Sequence, residues 1–91
     1  MTEIGYVYLL KPVGHNVYKI GRTTNLDKRR VQQEKKLKTS LEYVHFIKSN
    51  DYQWAEQRMH VIFGHAHLVS EWFILTDQDI EKFKSIKDYQ I

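Results

Sequence analysis

Seven of the fourteen basic residues in this 91-residue chain fall between positions 22 and 38: Arg22, Lys28, Arg29, Arg30, Lys35, Lys36 and Lys38, against only Asp27 and Glu34. Such a local electropositive segment suits phosphates, and Arg22, Lys28, Arg30, Lys35 and Lys36 are its candidate nucleic-acid contacts. Upstream, strand alternation sends Tyr6 and Tyr8 to one face of a sheet and Val7 and Leu9 to the other. Two tyrosines on one face, beside a basic helix, are either ordinary half-buried strand aromatics or members of a site. At about 100° per residue, Leu26, Arg29, Arg30, Gln33 and Leu37 share one helical face, so polar groups interrupt the stripe that should pack on the sheet. A guanidinium in that position must meet an anion or a carboxylate.

Glu56 is one carboxylate whose position leaves a metal-binding role open. It lies at the edge of an apolar stripe made by Ala55, Met59 and Ile62, from which a carboxylate can reach across the sheet face into a cleft. The plainer alternative is a helix-surface partner for a cation. A carboxylate in a water-rich shell suits Mg²⁺ or Mn²⁺, hard ions often held by only one or two protein carboxylates plus a substrate phosphate. His60, one helical turn on, either hydrogen bonds a water or phosphate there or caps a polar surface. A zinc reading of His60, His65 and His67 fails, because two of the three fall on an irregular stretch and the chain has neither cysteine nor an HExxH spacing. His15 and His45 read as turn and strand residues without a role.

The elements that must position these groups follow from pattern. Ile4 to Leu10 and Val17 to Arg22 carry strand signals, and Pro12, Gly14 and Asn16 between them mark a hairpin loop of about five residues. Asn25 caps a first helix over Leu26 to Lys38, with Asp27 in its first turn. Leu41 to Lys48 is a third strand, and Ser49-Asn50-Asp51 leads into a second helix over about Tyr52 to Phe63, stopped by Gly64 as a left-handed cap. Glu71 to Leu75 is a short strand. Thr76 and Asp79 then open a third helix whose buried face is Ile80, Phe83 and Ile86. The predicted order is β-β-α-β-α-β-α, an α+β fold with a small, largely antiparallel sheet, in a single domain over residues 1–91. On this reading Val7, Leu9, Tyr18 and Ile20 face the helices, and Tyr6, Tyr8 and Lys19 share the other face.

Composition narrows the field further. Twelve aromatic residues must supply much of a core that, in so short a chain, has no disulfide to support it. The absence of cysteine removes any thiolate zinc site and makes a reducing cytoplasm the default compartment. The opening residues carry an acid where a signal peptide has basic residues, and no apolar run is long enough to span a bilayer, so no membrane partner is expected.

Gly5-Tyr6-Val7-Tyr8-Leu9-Leu10, followed by Tyr18-Lys19-Ile20-Gly21-Arg22-Thr23, resembles the paired motifs of GIY-YIG nucleases. Further matches follow in order: Arg29 eight residues after Gly21, Glu56 with His60 on the second helix, Phe63, and Glu71-Trp72-Phe73. The resemblance spans about Tyr6 to Leu75 and is to the compact phage and bacterial branch, in which the second motif reads KIG. One position departs. If Gly21 aligns with the family glycine, Lys19 stands where the second tyrosine usually does, and Tyr18 points to the opposite face.

The resemblance implies a metal-dependent endonuclease acting on DNA, with Tyr8, Lys19, Arg29, Glu56, Tyr6 and His60 as catalytic candidates. Arg29, selected over Arg30 by the family spacing, contacts the scissile phosphate. Tyr8 takes a proton from water, with Lys19 and the ion drawing its pKa down from an ordinary value near ~10. Tyr6 orients Tyr8 or the water, and Mg²⁺ or Mn²⁺ bound by Glu56 stabilises the leaving oxygen. The rival is an inert nucleic-acid-binding module of the same fold. A protein-interaction domain using exposed aromatics such as Trp54 has no positive motif. Specificity, strandedness of the substrate and oligomeric state stay open, a transient dimer being one way to cut both strands.

Overall fold

A computed structural model describes residues 4–86. Strands β1 (Gly5–Pro12) and β2 (Tyr18–Thr23) form the expected hairpin, and α1 (Leu26–Leu37), β3 (Leu41–Ser49) and α2 (Tyr52–Ile62) follow. A short 3₁₀ turn (Gly64–Ala66), strands β4 (His67–Val69) and β5 (Trp72–Phe73), and α3 (Asp77–Ser85) complete the order. All pairings are antiparallel, in one five-stranded sheet ordered β3-β1-β2-β5-β4. The α+β class with a small antiparallel sheet is the one the sequence predicts.

Local chemistry sets the helix starts. The Asn25 side chain accepts from Lys28 N–H, and Asp51 caps α2 by accepting from Trp54 N–H. Thr76 and Asp79 form a reciprocal capping box at α3. Two finer expectations need correction. Gly64 is not a left-handed cap: Phe63 ends α2 at φ −101°, and Gly64 opens the 3₁₀ turn, in which Ala66 N–H bonds Phe63 C=O. The fully buried Phe63 ring pins the chain there, and no reversal is required. The predicted strand Glu71 to Leu75 shrinks to Trp72–Phe73 and gains a partner, β4, through a tight turn with Ser70 at φ 53°. His67-Leu68-Val69 is too short to carry a period of its own, so only pairing to β5 makes it a strand.

The helices divide between the two faces of the sheet, which sequence periodicity did not separate. Val7, Leu9, Tyr18, Ile20 and Ile47 join Ala55, Met59, Phe63, Phe73 and Phe83 in the larger core, under α2 and α3. Burying each of these large side chains stabilises the fold by roughly 1.5–3 kcal/mol. On the other face α1 covers a smaller cluster of Tyr8, Leu10 and Leu41, with Leu26 and Tyr43 packed against it. Tyr8 therefore sits under a helix, not on an open face.

Two glycines owe their identity to close approach. A Cβ at Gly21 would come within 2.6 Å of Tyr8 Cζ, because the tyrosine ring lies directly across the opposite residue of β2. A Cβ at Gly5 would come within 2.6 Å of the Tyr52 ring on the other face. Among the described residues no helix is long and apolar enough to cross a membrane.

Candidate active site

The sheet opens where β5 ends. The last bond on that side of β2 runs from Ile20 N–H to Glu71 C=O, and Gly21 to Thr23 have no strand partner there. This gap connects the two faces, so α2 and α1 can both contribute to one space. A polar cleft of about 430 Å³ occupies it, lined by Tyr8, Arg22, Thr23, Arg29, Glu56 and Glu71 among others.

Each side chain arrives from a different element. Tyr8 comes from β1, with 1% of its surface exposed and its ring edge-to-face on Tyr43 at 5.5 Å. Burial pushes its phenol above the usual range. Arg29 opposes that rise, whereas Glu71, Tyr43 and Glu56 add to it. Tyr43 donates to Leu26 C=O at 2.6 Å, and burial pushes its pKa up to about 12. The Tyr8 environment thus favours the protonated phenol. Lys19, expected to draw the Tyr8 pKa down, is not among the groups that shift it; Arg29 is the cation that does.

Arg29 projects from α1 into the cleft and Gln33 is buried, as their helical phase predicts, whereas Arg30 and Leu37, expected on the same face, are exposed. Its Nε is buried with no hydrogen-bond partner, and no carboxylate lies within ion-pair distance of it among the described residues. Leaving such a donor unpaired costs roughly 1–3 kcal/mol, a cost that an anion entering the cleft offsets. Glu56 is 8% exposed on α2 and accepts from Arg22 Nη1 at 2.5 Å. Alternation along β2 places Arg22 on the same face as Ile20, toward α2, which explains the pairing. Arg22 is therefore a partner of Glu56 as well as part of the basic segment.

Lys19 shares the face of Tyr6 and Tyr8 but lines a neighbouring hollow with Gln33 and Lys36. Its ammonium donates to Gln33 Oε1 at 2.7 Å and lies 3.7 Å from Glu71 Oε2. Burial lowers its pKa, and Glu71 opposes the change. Glu71 lines both spaces, so it links Lys19 to the cleft. His60 does not line the cleft. Its Nε2 bonds Ile20 C=O at 2.9 Å and its ring stands edge-on to Phe73, so it closes the sheet edge that β5 leaves unpaired. Tyr6 also lies outside the cleft, edge-to-face with Phe46 at 5.8 Å.

Of the basic contacts, Lys28 lines a shallower hollow that adjoins the cleft through Thr23, Thr24 and Arg29. Arg30, Lys35 and Lys36 are exposed on α1. Trp54 is 40% exposed beneath the Arg58 guanidinium, 5.6 Å from its ring centroid, and does not line the cleft. Sequence reasoning missed Thr23, Thr24 and Tyr52 as cleft residues and named Glu71 only within the Glu71-Trp72-Phe73 match. The position of Glu71 beside the EWF aromatics was the available signal, but its role at the end of a two-residue strand depends on the β4 pairing.

The donor set suits a hard cation. Glu56 and Glu71 bring two carboxylates to one polar space, whereas no cluster of three or more His, Asp or Glu side chains able to hold a metal is found among the described residues. Two carboxylates are fewer oxygen donors than Mg²⁺ or Mn²⁺ takes, so such an ion would need further ligands from outside the protein.

The T5orf172 domain family matches residues 5–86, which includes every element described above. No curated protein and no solved structure matches the chain.

Proposed function

The chain belongs to the T5orf172 domain family, a phage-associated group within a nuclease-related superfamily, and from that premise we propose a divalent-metal-dependent endonuclease of GIY-YIG type that hydrolyses DNA phosphodiester bonds. The observation that carries the proposal is the unpartnered, buried Arg29 Nε in the same cleft as Tyr8 and Glu56. A cation that lines a polar cleft without an anion of its own is arranged for an incoming one.

In this mechanism Arg29 binds the scissile phosphate and stabilises the charge that grows on its oxygens as water attacks phosphorus and the leaving oxygen departs in line. Glu56 and Glu71 would hold Mg²⁺ or Mn²⁺, which supplies further positive charge to the phosphoryl group when bound. Arg22 must release Glu56 for that purpose, and the incoming phosphate gives its guanidinium a second anion to pair with. Tyr8 orients the attacking water. Its raised pKa keeps the proton on the phenol at neutral pH, so it serves as base only in the small ionised fraction. Lys19 acts through Glu71 rather than on the phosphate, and His60 holds the edge of β2.

The Arg22–Glu56 ion pair favours one other reading, a module that binds DNA without cutting it. Incubating the chain with supercoiled and with single-stranded DNA, with and without Mg²⁺ or Mn²⁺, separates the two. Nicking that requires the ion and disappears in Arg29→Ala supports the nuclease. Salt-sensitive binding without cleavage under any ion establishes the inert module.

A further inference from the structure

Helix α1 covers only part of its sheet face. It packs on Leu10, Leu41 and Tyr43, at one end of β1 and β3. At the other end the register sets Tyr6 opposite Lys48 and Tyr8 opposite Phe46. Residues directly opposite in an antiparallel pair point the same way, so Tyr6, Phe46 and Lys48 occupy one uncovered area. Phe46 is 47% exposed, Lys48 is exposed, and Tyr6 stands edge-on to Phe46 at 5.8 Å. A half-exposed phenylalanine and a tyrosine on an open sheet beside a lysine gain nothing from water.

The area is continuous with the cleft. Tyr6 lies opposite Thr23 on β2, and Thr23 lines the cleft, while Phe46 is the cross-strand neighbour of Tyr8. From Tyr8 to Tyr6 along β1 is two residues, about 7 Å, comparable to one nucleotide of extended single strand. Arg29, which has no carboxylate partner, lines the cleft and Lys48 lies beside the aromatics, so a polyanion running from one to the other meets a cation at each end.

We propose that Tyr6 and Phe46, with Lys48, form a stacking platform for one or two unpaired bases adjoining the phosphate held in the cleft, so that the substrate is single-stranded or locally opened DNA. The platform rests on the nucleic-acid reading of the cleft and adds the bases to it. Aromatic faces accept any base, so the contact favours strandedness over sequence. A duplex, whose bases are already stacked, cannot use it without opening.

The test is binding without divalent ion, which separates the platform from catalysis. The probes are a fluorescent oligothymidine and a backbone-matched abasic oligomer, with the same phosphates and no bases. The wild-type chain should bind the oligothymidine more tightly than the abasic strand. Phe46→Ala should weaken oligothymidine binding by about 5- to 150-fold and leave abasic binding unchanged. Phe46→Leu, which keeps an apolar side chain on β3, should show the same loss, and Phe46→Trp should restore it. Equal wild-type affinity for the two oligomers overturns the platform while leaving the phosphate cleft standing. So does a Phe46→Leu protein that keeps full preference for bases. Failure to bind either oligomer while a duplex of the same length still binds also overturns the platform and leaves the cleft standing, whereas failure to bind all three removes the nucleic-acid reading as well.

Discussion

Gly21→Ala is the sharpest probe of the site, because it moves Tyr8 without touching its chemistry. The added Cβ would lie 2.6 Å from Tyr8 Cζ and closer still to its hydroxyl, whereas ordinary contact begins at 3.4 Å. The ring must therefore shift by about 0.8 Å at Cζ, the difference between those distances. It has little room to do so, being 1% exposed and packed on Tyr43. Overpacking of this kind costs about 1–3 kcal/mol, and at roughly 4–8 °C per kcal/mol for a domain of this size Tm should fall by about 4–24 °C. A displacement near 1 Å of a group that orients the nucleophile costs about a hundredfold in rate. The assay is single-turnover nicking of supercoiled DNA with Mg²⁺, at a temperature where circular dichroism shows the variant fully folded, alongside DNA affinity. The expected result is loss of rate with affinity nearly intact. Adding Tyr8→Phe should recover part of the stability, by removing the atom nearest the new methyl, and none of the activity; that non-additivity would show the two positions to be coupled. A folded Gly21→Ala protein cutting at the wild-type rate would refute the assignment of Tyr8 to the reaction.

Further outcomes follow from the same geometry. Glu56→Gln keeps an oxygen that can accept from Arg22 but loses the negative charge a divalent ion requires, so nicking should fall by orders of magnitude with Tm and DNA affinity preserved; partial rescue at high Mn²⁺ is expected here and not for Arg29→Ala, and wild-type cutting by folded Glu56→Gln at limiting Mg²⁺ removes Glu56 from the metal site. If Tyr8 must lose its proton, its raised pKa means a nicking rate that climbs about tenfold per pH unit from neutrality toward pH ~10 without a plateau; a flat profile from about pH 7 to 9 would leave Tyr8 only an orienting role. Tyr43 has a folded pKa raised from 10.0 to about 12, so its stabilising contribution is complete below pH 10 and is lost as pH rises toward 12; the alkaline fall in Tm should be shallower in Tyr43→Phe. DNA affinity should drop steeply with salt, and Lys28→Ala and Arg30→Ala should each reduce the log–log slope by about one; unchanged slopes would place the strand elsewhere than α1.

Much of this protein is determined by residue types at short range. Alternation along Gly5-Tyr6-Val7-Tyr8-Leu9-Leu10 and Tyr18-Lys19-Ile20-Gly21 is a property of any extended backbone, so which side chains share a face was legible before any fold was known. The caps at Asn25, Asp51 and Thr76 are local hydrogen bonds, and the helical phase that turns Arg29 inward is equally local. The tertiary structure decided what those faces meet. Nothing in the period of α1 says that it packs on the opposite side of the sheet from α2 and α3, which is what buries Tyr8 and raises its pKa. The short β4–β5 hairpin ends its pairing at Ile20, which gives His60 a carbonyl to hold and brings Glu71 to the cleft, and the packing of α2 on the face of Ile20 brings Glu56 to Arg22. Those contacts join residues distant in sequence, and no window of the chain contains both partners; only the closure of the sheet brings them within reach of one another.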